Sequence, residues 1–315
     1  MEKYRKFSDP ATSCNPFLPL SLVRPRTESQ GLRALRICVM SILFFLRIPL
    51  LSATVLLIGI CDLLVMIPFV STLIVVPIIR PFISTLALIS LGVYPSIHAS
   101  IADSRRLRIK RGILPRIKSS LVVSSFHGFI DILAHSITTR PAAFIFQTLD
   151  GNLVACRSLL AAIYTAIHSP LRKPGDSCDL PLANDALIFV SPSPTNGEGF
   201  LRMNSSLVQT ACKGHLVKLA SLEYKAFGPQ DPHHLTDHWL THVLKLSLNW
   251  GCTARVFICP ELISVSSDEE VVQAKSLLAR LYNPIAAETD LDASSIVEFR
   301  EYWNNTHRGS YAKSK

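Results

Sequence analysis

No Cys-x-x-Cys pair occurs among the eight cysteines, which stand at positions 14, 38, 61, 156, 178, 212, 252 and 259. That absence excludes a thioredoxin-like redox motif and paired-cysteine zinc sites. The scatter argues for reduced thiols in a cytosolic domain rather than a disulfide framework. A Gly-rich phosphate loop is missing, as is the Gly-x-Ser-x-Gly elbow of serine hydrolases. Nothing in the chain matches an RNA- or DNA-binding motif, so nucleic acid is not an expected partner. His234, His238 and His242 recur at helical spacing. No glutamate follows them in the His-Glu-x-x-His sense, and no metal site is expected. A cleaved signal peptide is not expected either, because about thirty polar, proline-punctuated residues precede the first apolar run. The sequons at Asn204 and Asn304 then read as chance matches.

What is present is a long apolar run. Between Ile37 and Ile97 charge appears only at Arg47, Asp62 and Arg80. A bilayer core needs about 20 apolar residues per helical crossing, so the run allows two or three passes. Arg24, Arg26, Arg33 and Arg36 precede it, and Arg105, Arg106, Arg108, Lys110 and Arg111 follow it. Basic residues near membrane-spanning ends favour the cytoplasmic side. With both flanks basic, an even number of crossings is expected, most simply one hairpin. Pro68, Pro77 and Pro81 suggest a bent or re-entrant element. Arg47 and Arg80 are expected to snorkel to an interface, and Asp62 to sit at the hairpin turn near a surface. The net charge of +9 suits anionic lipid, whose head groups attract nearby Lys or Arg by about 1 kcal/mol each.

The pattern divides the chain into an extended cytosolic arm (1–36), a membrane hairpin (37–97), a globular domain (105–305) and a basic tail (306–315). In the globular part, strands are expected at 120–124, 142–147, 186–190, 216–224 and 254–259. Helices are expected after residue 129 and at about 153–166, 236–249, 268–282 and 294–303. Alternating strands and helices argue an α/β domain with ligands at the polar turns after strands.

Two of those turns carry chemistry. His127 and Asp131 follow a strand at a spacing that puts them on one helical face. A neutral histidine can take a proton from a hydroxyl, and a nearby carboxylate can hold its tautomer and stabilise the cation formed. Read alone, the same spacing also describes a surface turn with an acidic residue beside a helix N-terminus. The second turn, Ser191-Pro192-Ser193-Pro194-Thr195-Asn196-Gly197-Glu198-Gly199, offers hydroxyls and backbone amides to a phosphate, with Arg202 nearby. A proline-rich loop shaped only by its turns would look the same.

The order of these segments, over roughly residues 105 to 300, resembles the glycerolipid acyltransferase family. The segments concerned are Ser125–Asp131, Phe189–Leu201, Leu216–Tyr224 and Arg255–Pro260. The start Met-Glu-Lys-Tyr and the Pro16-Phe17-Leu18-Pro19 element are similar to fungal lysophosphatidic acid acyltransferases of endoplasmic reticulum and lipid droplets. The resemblance implies an acyltransferase-like mixed sheet flanked by helices, preceded by a membrane-embedded helical hairpin. It implies transfer of an acyl chain from acyl-CoA to lysophosphatidic acid, with no resident cofactor and no named protein partner. His127 would be the base and Asp131 its orienter. Ser191, Ser193, Asn196, Gly197 and Arg202 would line the phosphate side. Two departures stand out. With Asp131 aligned, the family histidine falls on Phe126, one residue before His127. With Phe189 aligned, the family Glu-Gly-Thr falls on Ser191, Pro192 and Ser193. These departures also fit a decayed acyltransferase-like adaptor of the same membranes.

Overall fold

The computed structural model describes residues 2–10, 13–19, 30–99, 121–148, 152–168, 185–191, 193–197, 199–201, 209, 212, 215–226, 232–233, 236, 238–248, 251–265, 267–282, 287–289 and 291–312. Its centre is a mixed seven-stranded sheet of order β1-β8-β7-β2-β5-β3-β4. The strands are β1 (Val93–Ala99), β2 (Leu121–Ser124), β3 (Ala143–Gln147), β4 (Leu153–Cys156), β5 (Ala186–Phe189), β7 (Val217–Ala226) and β8 (Cys252–Ile263). A two-stranded pair, β6 (Gly199–Phe200) and β9 (Ala287–Glu288), stands apart.

The strands at the middle of the sheet are short and apolar throughout because both of their faces are covered. Period-two alternation assigns each side chain to a layer. Val122, Phe144, Phe146, Leu187 and Phe189 join one core cluster, and Leu121, Val123, Ile145, Ala186 and Ile188 join the other. The second face is closed by α6 (Asp268–Tyr282) through Val271, Ala274, Leu278 and Leu281. Its start is a capping box: the Ser267 amide donates to Glu270 Oε2 at 3.2 Å, and the Glu270 amide to Ser267 Oγ at 3.3 Å.

The first face carries the helices that matter most here: α1 (Gln30–Val65), α2 (Pro68–Ser90), α3 (Phe129–Thr138), α4 (Leu159–His168) and α5 (Trp239–Ser247). The apolar parts of α1 (Cys38–Val65) and α2 are long and apolar enough to cross a membrane, and they pack together as a hairpin turning at Met66 and Ile67. The prolines of α2 do not break it. Pro68 opens the helix, and Ser71–Ile79 widens into π-type turns, the Arg80 amide donating to the Val75 carbonyl five residues back. That widening accommodates Pro77, which has no N–H to give.

All three charges of the apolar run are used by the sheet domain. Arg80 is fully buried, donating through Nη1 to the Pro141 carbonyl at 2.9 Å and through Nη2 to that of Arg157 at 2.6 Å. Arg47 donates to the Ser247 carbonyl at 3.1 Å. Asp62 accepts from Ser158 Oγ and the amides of Leu159 and Leu160 at 2.7 to 2.8 Å, capping α4 from another part of the chain. The snorkelling arginines are thus corrected: both guanidinium groups are buried and donate to carbonyls distant in sequence. Asp62 does lie within about one turn of the hairpin tip, but against a helix N-terminus.

Further differences from the sequence pattern follow from long-range pairing. The apolar run ends inside the sheet, since β1 pairs in parallel with β8 from Val93↔Cys252 onward. The arm is not simply extended. Glu2–Phe7 forms a 3-10 helix, and Tyr4, Phe7 and Phe17 pack on Phe299 of α7 (Ala293–Ala312). Helix α7 itself continues through most of 306–315, the segment read as a tail. The basic clusters at 24–26 and 105–111 lie outside the described residues.

Candidate active site

Strand β2 pairs in parallel with both β5 and β7, so the three strands end on the same side of the sheet. Their C-terminal ends bring together residues 125–128, the loop after Phe189 and the projecting end of β7. Ser124 pairs with Ala220, so Tyr224 stands beyond the end of β2. The Val190 amide donates to the Ser124 carbonyl at 3.1 Å, and that of Thr195 to Phe126 at 3.3 Å, lacing the two loops together.

The turn into α3 sets where the histidine stands relative to the aspartate. Phe126 points into the core, 4.9 Å between ring centroids from Phe189 and 5.8 Å from Phe146. Gly128 then takes φ 155° and ψ −174°, a region essentially confined to glycine. His127 is thereby brought back against Asp131, Nδ1 to Oδ2 at 3.4 Å, with both side chains fully buried. The His127 amide donates to the same Oδ2 at 2.5 Å. Asp131 therefore holds the turn as well as the ring. The turn is interior, not a surface one.

Tyr224 Oη donates to the other carboxylate oxygen, Oδ1. His233 stands edge-on to both rings, at 5.6 Å from His127 and 5.3 Å from Tyr224. On the inner side, His135, one turn after Asp131, shares a 2.8 Å hydrogen bond between Nε2 and Ser124 Oγ. Burial pushes the His127 imidazole down, by more than Asp131 raises it, so the ring is neutral near pH 7. Burial alone would raise the Asp131 carboxyl. The His127 ring and the hydrogen bonds from Tyr224 and the His127 amide outweigh it and keep the carboxyl below its ordinary range. Burial pushes His135 down to about 4. With Nδ1–H facing Asp131, the tautomer presents Nε2 as the basic nitrogen.

The second loop is placed beside this centre, yet its polar groups turn inward. Ser191 Oγ donates to the Ser193 carbonyl at 2.6 Å, and Ser193 Oγ to that of Pro194 at 3.4 Å. Asn196 Nδ2 reaches the carbonyls of Asn15 and Leu18, each at 2.9 Å, while its amide donates to Pro16 at 2.8 Å. Asn196 thus ties the loop to the N-terminal arm. Gly197 closes the loop at φ 78°, where a side chain would be strained. Arg202 lies outside the described residues.

Among the other histidines, His242 is buried on α5, edge-on to Phe129 at 6.0 Å, with Nε2 3.3 Å from the Pro232 carbonyl. His238 is exposed and precedes α5, and His234 lies outside the described residues. Among the described residues, no group of three or more His, Cys, Asp or Glu side chains is arranged to hold a metal ion. Sequence reasoning found the His127–Asp131 pair but not His135 or His233. The i, i+4, i+8 spacing of His127, Asp131 and His135 was the available signal for the first. His233 reaches the site from about a hundred residues away and left none.

No family model matches the chain, and no curated protein matches it. Among solved structures the chain is similar to PlsC, the 1-acyl-sn-glycerophosphate (LPA) acyltransferase from Thermotoga maritima. That likeness covers 79 % of this chain and 95 % of the other at 15 % identity, with a TM-score of 0.42.

Proposed function

We propose that this protein is a membrane-associated lysophospholipid acyltransferase, moving an acyl group from acyl-CoA to lysophosphatidic acid to give phosphatidic acid. One observation carries the reading. A neutral histidine fixed by a buried carboxylate sits at the ends of parallel strands, on the sheet face that also carries a membrane-length apolar hairpin. A lysophospholipid hydroxyl is a weak nucleophile toward a thioester. His127 Nε2 would take its proton as the new C–O bond forms, and Asp131 would stabilise the imidazolium. The C–S bond then breaks, and the proton passes to the departing thiolate as free CoA. No resident cofactor is needed. Tyr224 and His233 cover the imidazole, so the Pro232–His233 segment must swing aside to admit the hydroxyl.

The hairpin belongs to the same reading. Asp62, within about one turn of the tip, caps α4 of the sheet domain. A tip on the far side of a bilayer would pull α4 into the hydrocarbon, so the hairpin dips into one leaflet and does not cross. Lipid substrates then reach the site without leaving the membrane. Basic residues on both flanks of the apolar run, and cysteines scattered without a Cys-x-x-Cys pair, support a cytosolic sheet domain; endoplasmic reticulum and lipid droplets are the surfaces the resemblance implies.

The test is to supply the purified protein with lysophosphatidic acid and oleoyl-CoA, and to follow phosphatidic acid and free thiol together. Equimolar appearance of the two supports the reading; neither rising above the protein-free blank rejects it. A second reading, a decayed acyltransferase-like adaptor, is favoured by the sealed imidazole and by the use of Asn196 to hold the arm. It predicts that blank-level result, with membrane attachment retained.

A further inference from the structure

Helix α5 carries an apolar stripe that nothing among the described residues covers. Leu240, Leu244 and Leu248 follow at i, i+4 and i+8, exposed by 48 %, 38 % and 37 %, and Trp239 is 40 % exposed beside the first of them. The opposite face is buried through His242 and Leu246. A surface helix normally turns that second pattern inward and a polar face outward. Here the outward face is apolar as well, which calls for a second covering.

Its position says what the covering is. Ser247, next to the end of the stripe, is the residue whose carbonyl Arg47 holds at 3.1 Å. The stripe therefore runs up to α1, whose outward face is itself apolar, with Phe45 at 75 %, Leu46 at 67 % and Leu56 at 71 % exposure. Lys245 lies among the stripe residues, and the chain's net charge of +9 matches an anionic head-group layer. A helix with an apolar outer face, Trp at one end and a basic residue fits the interface plane of a bilayer.

We infer that α5 is a second lipid-contact element, lying at the surface of the bilayer that the hairpin enters. This rests on the hairpin's residence in lipid. The contact sits beside the candidate site, because the buried face of the same helix holds the Pro232 carbonyl and packs His242 on Phe129 at the start of α3.

Hydroxyl-radical footprinting of the full chain in phosphatidylcholine–phosphatidylserine vesicles tests this, with flotation of the vesicles run beside it. Leu262 is the internal standard: the same residue type, 49 % exposed, at the opposite end of β8 from Ala254, the partner of Tyr224. The expected result is flotation of the protein, with Leu240 and Leu244 oxidised several-fold more slowly than Leu262. Flotation with equal oxidation of the three overturns the inference and leaves the hairpin reading standing. Failure to float overturns both. Protection that disappears when the protein is diluted into excess vesicles means a second copy covers the stripe, and also overturns it.

Discussion

Tyr224 on β7 donates its phenolic hydrogen bond to Asp131 Oδ1 on α3, across 93 residues of sequence, while the His127 amide serves the other oxygen. The carboxylate is thus held from both sides before the imidazole is considered. Hydrogen bonds to a buried charge contribute about 1.5–3 kcal/mol, so Tyr224→Phe should lower stability by that order, read as a drop in melting temperature. It should also strengthen the pull of Asp131 on the imidazolium. The acid limb of the pH–activity profile should then move to higher pH. An unmoved limb would mean that Tyr224 supports only the fold.

Gly128 holds a conformation that other residues adopt only under strain. Gly128→Ala should cost about 1–3 kcal/mol and separate His127 from Asp131. Activity should fall further than stability alone explains. A variant of wild-type stability and rate would contradict the turn described for this site.

His135 gives a pH-dependent stability of known sign. Its ordinary value is 6.5, and burial pushes it down to about 4, so the unfolded chain binds the extra proton between those values. Stability is then full above about pH 6.5 and falls as the pH drops toward 4, by on the order of 3 kcal/mol at most. Asp131, held low, stays ionised through that window and does not compensate. Thermal melts at pH 7.5 and pH 5 should differ more for wild type than for His135→Gln. An equal difference would remove His135 as the cause.

Asp62 links hairpin to sheet domain by capping α4. Asp62→Ala should cost about 1–2 kcal/mol, as capping residues do. It should also make the α1–α2 turn more open to proteolysis in vesicles. Asp62→Asn should restore much of the loss, since an amide oxygen can still accept. Unchanged proteolysis in both variants would show that the apolar contacts alone hold the hairpin.

The legible parts of this protein were those with a local pattern. Strands β2, β3 and β5 stood out because burial on both faces makes them continuous apolar runs. Helix α6 was expected at about 268–282 and lies at Asp268–Tyr282. His127 and Asp131 were legible because four residues along a helix start bring them together. Strand β1 was hidden because Val93 and Ile97 continue the apolar run that precedes them. Strand β4 ran straight into α4, so Leu153 to Ala166 read as one helix. Nothing local announces that Tyr4 packs on Trp303, that Arg80 serves the carbonyl of Arg157, or that His233 covers His127. Each depends on partners distant in sequence, and the polar ones reverse what hydropathy suggests about charges in an apolar helix.

The central claim is that His127 is a base for acyl transfer. The most direct measurement is the rate of phosphatidic acid formation by wild type, His127→Ala and Asp131→Asn in the same mixed micelles, each protein first shown to be folded by its melting curve. The account predicts product from wild type, a loss of about 10²-fold or more for His127→Ala, in the range set by general-base catalysis, and a smaller loss for Asp131→Asn. Equal rates for wild type and a folded His127→Ala protein would contradict it.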